Sequence, residues 1–137
     1  MAAHRTTITP RFGELDPYNH VNHAAYIAYF EAARCVALED IDMSLSDLSD
    51  RGFQIVVTKL EVQFRQPATA RDSLIVETQI QEMKRVSSKW RQQILRESDG
   101  ALLVEAQITL GICDANGKPT RPPEDLNQSL SRLAVDR

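Results

Sequence analysis

An α+β fold, an antiparallel β-sheet wrapped around one long central α-helix, follows from three features of the sequence. A single strongly helical stretch, Ala24 to Leu38, lies near the start of the chain. Segments that alternate apolar and polar residues follow it, and short turns join them, which favours an antiparallel rather than a crossover arrangement.

The elements follow in chain order. A strand is expected near Ile8. The helical run AAYIAYFEAARCVAL is apolar nearly all round, is broken only by Glu31 and Arg34, and is rich in helix-favouring alanine, so it must be wrapped on most sides. Leu60, Val62 and Phe64 then alternate with Lys59, Glu61 and Gln63, and Leu74, Val76, Thr78 and Ile80 alternate with Ile75, Glu77, Gln79 and Gln81, as half-buried strands do. Ser88 to Glu97 is a weaker strand candidate. Asp99-Gly100 is a hairpin turn into the longest strand, Ala101 to Asp114, with Leu102, Val104, Ala106, Ile108, Leu110 and Ile112 on one face. Asn116-Gly117 closes another turn, and Pro119, Pro122 and Pro123 end regular structure. The expected division is one domain over 1–123 and a polar C-terminal tail over 124–137 that forms a short surface helix.

With 137 residues the chain fits one domain, short enough that its site can require a second subunit. A net charge of -3 gives no global attraction to nucleic acid or to an anionic membrane, so any basic site must be local. The first ten residues lack the apolar core of a signal peptide and no apolar run is long enough to span a bilayer, so cytoplasmic residence is the expectation. Cys35 and Cys113 lack the paired spacing of a zinc or redox motif and read as buried small hydrophobes. One helix leaves the other face and the edges of the sheet to cover, so a homodimer or homotetramer is expected.

The chemistry concentrates in Asp16-Pro-Tyr-Asn-His20-Val-Asn22-His23, just before the helix. Asn22 can cap the helix, Pro17 and Asn19 suit a tight turn, and Asn accepts positive φ. The first N–H groups of the helix, around His23 and Ala24, have no intrahelical acceptor and carry the positive end of the helix dipole. A carboxylate at Asp16 and an oxyanion-stabilising helix start could thus approach opposite sides of one carbonyl, an arrangement suited to acyl transfer to water.

The run Asp16 to Asn22, followed by Ala25-Tyr26 and Phe30-Glu31-Ala-Ala-Arg34, resembles the hot-dog fold thioesterases of the 4-hydroxybenzoyl-CoA thioesterase type, and the resemblance extends more weakly to about Pro123. It implies an acyl-CoA or acyl-carrier-protein thioesterase in which Asp16 attacks the thioester carbonyl or activates water and the His23 N–H polarises the carbonyl oxygen, with Asn22 capping the helix that presents it. No metal or other cofactor is implied. The departure is Asn19, where such proteins commonly have glycine. Glu14-Leu-Asp16-Pro-Tyr18 and Pro119-Thr-Arg-Pro122 also look like the plant and bacterial branches that release β-ketoacyl or polyketide chains from carrier protein. In relatives of that kind lacking the acid, a Tyr and an Arg matching Tyr26 and Arg34 help shape the pocket.

Simpler readings stand beside these. Asp16 can order an Asx-type turn; His20 can contact the substrate, and His20 and His23 can be hydrogen-bonded turn residues or, with Asp16, metal ligands; Glu31 and Arg34 can pair on the helix. Arg85 and Lys89 in MKRVSSKWR can grip coenzyme A phosphates or an acidic carrier protein with Trp90 over an adenine or pantetheine arm, or they form a solvated basic turn beside a core Trp. Arg65 is a weaker candidate of the same kind. The reading is a thioesterase; its alternatives are a non-catalytic acyl-thioester binding module and a dehydratase using His20 as base.

Overall fold

The computed structural model describes residues 3–134. Helix α1 (His23–Asp40) begins where the Asn22 side-chain oxygen accepts the Ala25 N–H at 2.9 Å, satisfying one of the donors that a helix start leaves without an intrahelical acceptor. A strand β1 (His4–Ile8) precedes it. A short helix α2 (Leu45–Asp50), capped by Ser44 and invisible to the apolar periodicity, leads into β2 (Phe53–Phe64). Strands β3 (Leu74–Met83), β4 (Ser87–Arg96) and β5 (Leu102–Asp114) complete a five-stranded sheet of order β1-β3-β4-β5-β2, antiparallel throughout. Among the described residues no helix is long and apolar enough to cross a membrane.

Alternation sets which face each strand buries. Val76 and Ile80 of β3, Trp90 and Ile94 of β4, and Val104 and Ile108 of β5 lie in one core with Phe30, Ala33 and Ala37 of α1. Three further placements differ from the sequence expectations. The segment after Pro123 is not simply a polar tail beyond the domain: its described part forms α3 (Glu124–Leu130) and a 3₁₀ turn, and Leu126, Leu130 and Leu133 are buried in the core because their i, i+4, i+7 spacing gives that short helical segment one apolar side. Cys35 is only half-buried, whereas Cys113 is buried. Helix α1 is not wrapped on most sides within one chain: His23, Ala24, Ile27, Ala28, Glu31 and Ala32 are exposed along one strip.

The edge strand β2 explains the open strip. Its Val57, Leu60 and Phe64 pair with Leu110, Ile108 and Val104 and so share the core-facing side of the sheet, yet they remain 48%, 37% and 51% exposed. Helix α1 packs mainly against β3 and β1, toward the other end of the strand order, and meets this edge through Tyr26 on Phe64.

Candidate active site

The residues from Glu14 to Asn22 form a tight reversal that returns the chain into α1. Asn22 N–H donates to Glu14 O at 2.8 Å, Leu15 bridges Val21, and Asp16 N–H donates to His20 O at 2.7 Å. At the tip, Asn19 N–H donates to Asp16 O at 3.0 Å with Asn19 at φ 61°, the left-handed conformation that asparagine tolerates where glycine is common. Two further contacts anchor the reversal to the chain after β2: Val21 N–H donates to Ala68 O at 2.8 Å, and His20 bridges Thr69.

Asp16 is divided between two tasks. Its Oδ1 accepts the N–H groups of Tyr18 at 2.8 Å and His20 at 3.0 Å, an Asx turn that holds the carboxylate in place. Among the described residues Oδ2 has no hydrogen-bond partner, and the side chain lines a cleft of about 330 Å³. Turn-ordering and an available carboxylate oxygen therefore coexist in one residue. On the other side of the reversal, Asn22 takes the Ala25 N–H, while the N–H groups of His23 and Ala24 at the start of α1 are left without a backbone acceptor among the described residues.

The same cleft brings together His20, His23 and Tyr26 with Phe64 at the end of β2 and Arg65 and Pro67 just after it. Tyr26 is a structural wall of it. Its hydroxyl accepts the Ala68 N–H at 2.9 Å, and its ring packs on Phe64 at 5.8 Å between centroids and edge-on to Tyr29 at 6.2 Å. Burial raises the Tyr26 pKa above that of a free phenol, so the hydroxyl stays neutral at physiological pH. Among the described residues no three His, Cys, Asp or Glu side chains converge to hold a metal ion.

Other candidates lie elsewhere. Arg34 does not pair with Glu31 among the described residues and does not line the cleft; it turns into the core, where Nη1 donates to Gln92 Oε1 at 2.9 Å. Trp90, read as a possible cover for an adenine, is fully buried, with Nε1 donating to Ser88 Oγ at 2.7 Å, because its position on β4 alternates to the core face between Ser88 and Gln92. Arg85 lies in the β3–β4 turn and lines a cleft of about 360 Å³ with Lys84 and Arg121, while Lys89 lines an adjoining groove with Lys59 and Lys84. Both are at the opposite end of the strands from Asp16. Phe64 and Gln66 are wall residues that the sequence reading did not identify as such, since only contacts distant in sequence, Val21 with Ala68 and His20 with Thr69, bring the chain after β2 to the Asp16 reversal.

Comparison with known proteins identifies the family and the fold. A family model described as the thioesterase-like superfamily matches residues 10–130. The long-chain acyl-CoA thioesterase FadM of Escherichia coli is 33% identical over 130 residues, covering 94% of this chain and 98% of that protein. Among solved structures, a hypothetical protein from Thermus thermophilus superposes with a TM-score of 0.88 at 31% identity, covering 94% of this chain and 98% of that one. The probable thioesterase YbaW of Escherichia coli superposes with a TM-score of 0.82 at 30% identity, covering 96% and 98%.

Proposed function

The chain belongs to the thioesterase-like superfamily and is an acyl thioester hydrolase of the hot-dog fold, and we propose that Asp16 and the start of α1 form its reaction centre. The observation that carries this reading is the Oδ2 of an otherwise anchored Asp16, which has no hydrogen-bond partner among the described residues and lies in the same cleft as His23 at the helix start. The thioester carbonyl lies between them. Its oxygen takes the N–H groups at His23 and Ala24, where the helix dipole stabilises the negative charge that develops on attack. The ionised Asp16 carboxylate acts from the other side, either as nucleophile or as the base that takes a proton from water. The acyl group leaves as the free acid and the carrier as its thiol. Asn22 serves through its cap, which orients the helix start; His20 and Tyr26 shape the cleft around the acyl group.

The relative FadM supports a fatty acyl-CoA as substrate, in line with the apolar walls supplied by Tyr26 and Phe64. The cations at Arg85 and Lys89 support a site for coenzyme A phosphates at the far end of the sheet from the Asp16 cleft, so on this reading they serve the cleft of a partner subunit rather than that of their own chain. Arg34 and Trp90 contribute to the acyl site only through the core they build. The enzyme acts in the cytoplasm as a homodimer or homotetramer, with the acyl chain between α1 and a neighbouring subunit.

Free-thiol release from a panel of aliphatic, β-keto and aromatic acyl-CoA and acyl-carrier-protein thioesters tests the reading. We expect rapid turnover on one class, reduced by about 100-fold or more in folded Asp16→Asn, the loss typical of a positioned catalytic group. Turnover that survives the substitution would remove Asp16 from the centre. Label from water that enters the Asp16 carboxylate in a single turnover would identify covalent attack, since only a mixed anhydride opened at the Asp16 carbonyl routes that label into the enzyme.

A further inference from the structure

Glu14 is the point at which the Asp16 reversal is tied to the body of helix α1. Its backbone carbonyl accepts both the Asn22 N–H and Asn22 Nδ2, each at 2.8 Å. Its side-chain Oε1 accepts the Tyr29 hydroxyl at 2.6 Å and the Arg11 N–H at 2.8 Å. Among the described residues this carboxylate has no Lys, Arg or His partner; a phenol and a peptide group neutralise its hydrogen-bonding demand instead. The Tyr29 hydroxyl is held as a donor, since burial and then the Glu14 hydrogen bond both raise its pKa.

The geometry points to Glu14 as a positioning residue for thioester hydrolysis: through Tyr29 it holds the arm that carries Asp16 at a set distance from the first N–H groups of α1. This rests on the assignment of Asp16 to the reaction centre. The arm from Glu14 to Asp16 and the arm from His20 to Asn22 pair over only a few residues, and so short a ladder is marginal on its own. The bonds that Asp16 itself makes go to Tyr18 and His20, at the tip of the reversal; they keep its shape without relating it to the helix. The open end of the ladder is where the arms would part, and there Glu14 reaches past the N-cap to Tyr29 in the second turn of α1. The clasp also touches the cleft wall, because Tyr29 stands edge-on against Tyr26. Loosening it shifts Asp16 relative to the carbonyl site, and a displacement of about 1 Å from a remote change costs up to roughly 100-fold in rate.

The test compares Glu14→Ala, Glu14→Gln, Tyr29→Phe, the Glu14→Ala/Tyr29→Phe pair and Asp16→Asn, singly and with Glu14→Ala, by kcat and KM on the best acyl thioester and by thermal melting. Glu14→Ala and Tyr29→Phe are expected to lower kcat by about 10-fold or more at unchanged KM, as a misplaced catalytic group does. Glutamine keeps an acceptor oxygen toward Tyr29 and is expected to recover most of the loss. The pair should lose no more than either single change, and Glu14→Ala should add nothing to Asp16→Asn. A purely structural clasp would lower the melting temperature and leave the kcat of the folded protein intact, and that result overturns the proposal. Inactive Asp16→Asn together with unaffected Glu14→Ala overturns it alone; full activity in Asp16→Asn overturns the Asp16 assignment as well.

Discussion

At the scale of single residues, Arg34 and Gln92 illustrate how a polar group survives in this core. Gln92 spends its amide fully: Nε2 donates to Phe30 O and to Thr78 Oγ1, both at 3.0 Å, and Oε1 accepts from Arg34. Burial lowers the Arg34 pKa, with the charge of Glu31 opposing that shift, so the guanidinium depends on the amide for its remaining solvation. Gln92→Leu should destabilise the protein by about 1–3 kcal/mol, because it strands buried polar partners, as read by urea unfolding. Adding Arg34→Met should restore part of that loss, since no charge then remains buried without a partner. Equal stability of wild type and Gln92→Leu would refute this account. Little of the network was legible beforehand. Glu31 and Arg34 are three apart and looked like natural partners, but a helix neighbour is only one choice for a long side chain, and Gln92, 58 positions away, is brought close by tertiary structure alone. Asp16, Asn19 and Asn22 were legible because turn and cap chemistry acts within a few residues.

At the scale of elements, the strands differed in how openly they declared themselves. Strands β3 and β5 alternate cleanly and were legible along most of their length. Only the second half of β2 was, for a physical reason: a bulge at Thr58 inserts one residue, so Phe53, Ile55 and Val57 face the core before it, and Leu60, Val62 and Phe64 after it. The alternation changes phase and the pattern breaks. In β4 the core-facing set includes Ser88 and Gln92 beside Trp90 and Ile94, which weakens the apolar signal. The turn between β3 and β4 is where charge departs from the average of the chain. Across two adjoining clefts Lys59, Lys84, Arg85, Lys89 and Arg121 outnumber Glu61 and Glu124 in a protein of net charge -3. If this turn holds coenzyme A phosphates, Lys84→Ala/Arg85→Ala should raise KM for an acyl-CoA by about 10-fold, as loss of charge-assisted phosphate contacts does, and leave KM for the matching acyl-N-acetylcysteamine thioester unchanged. Equal effects on the two substrates would assign the cations to folding instead. A selective loss on acyl-carrier-protein thioester would assign them to a protein partner.

At the scale of the whole molecule, one side of the chain is left unfinished. Among the described residues strand β2 pairs only with β5, so along its 12 residues the outer row of backbone groups has no strand beside it. On the core-facing side of that edge Val57, Leu60 and Phe64 are half exposed, and the open strip of α1 contributes Ala24, Ile27 and Ala28. A second copy related by a two-fold axis meets both needs: its β2 can continue the sheet in antiparallel register, and its apolar surface can cover the same residues. Because Phe64 is also a wall of the Asp16 cleft, this association would close the acyl site rather than merely join two finished enzymes. Leu60→Asp places a charge at the middle of the edge, where pairing across the two-fold axis would bring it close to its own copy, and where the exposed position leaves the single chain able to fold. Light scattering behind gel filtration should therefore find dimers or larger assemblies for wild type and monomers for Leu60→Asp. The circular dichroism of the variant should stay native, with turnover of long acyl-CoA thioesters down by about 10-fold or more as the acyl wall opens. A wild-type protein that is monomeric and fully active at micromolar concentration would show that the cleft is complete in one chain and that the apolar edge has another use.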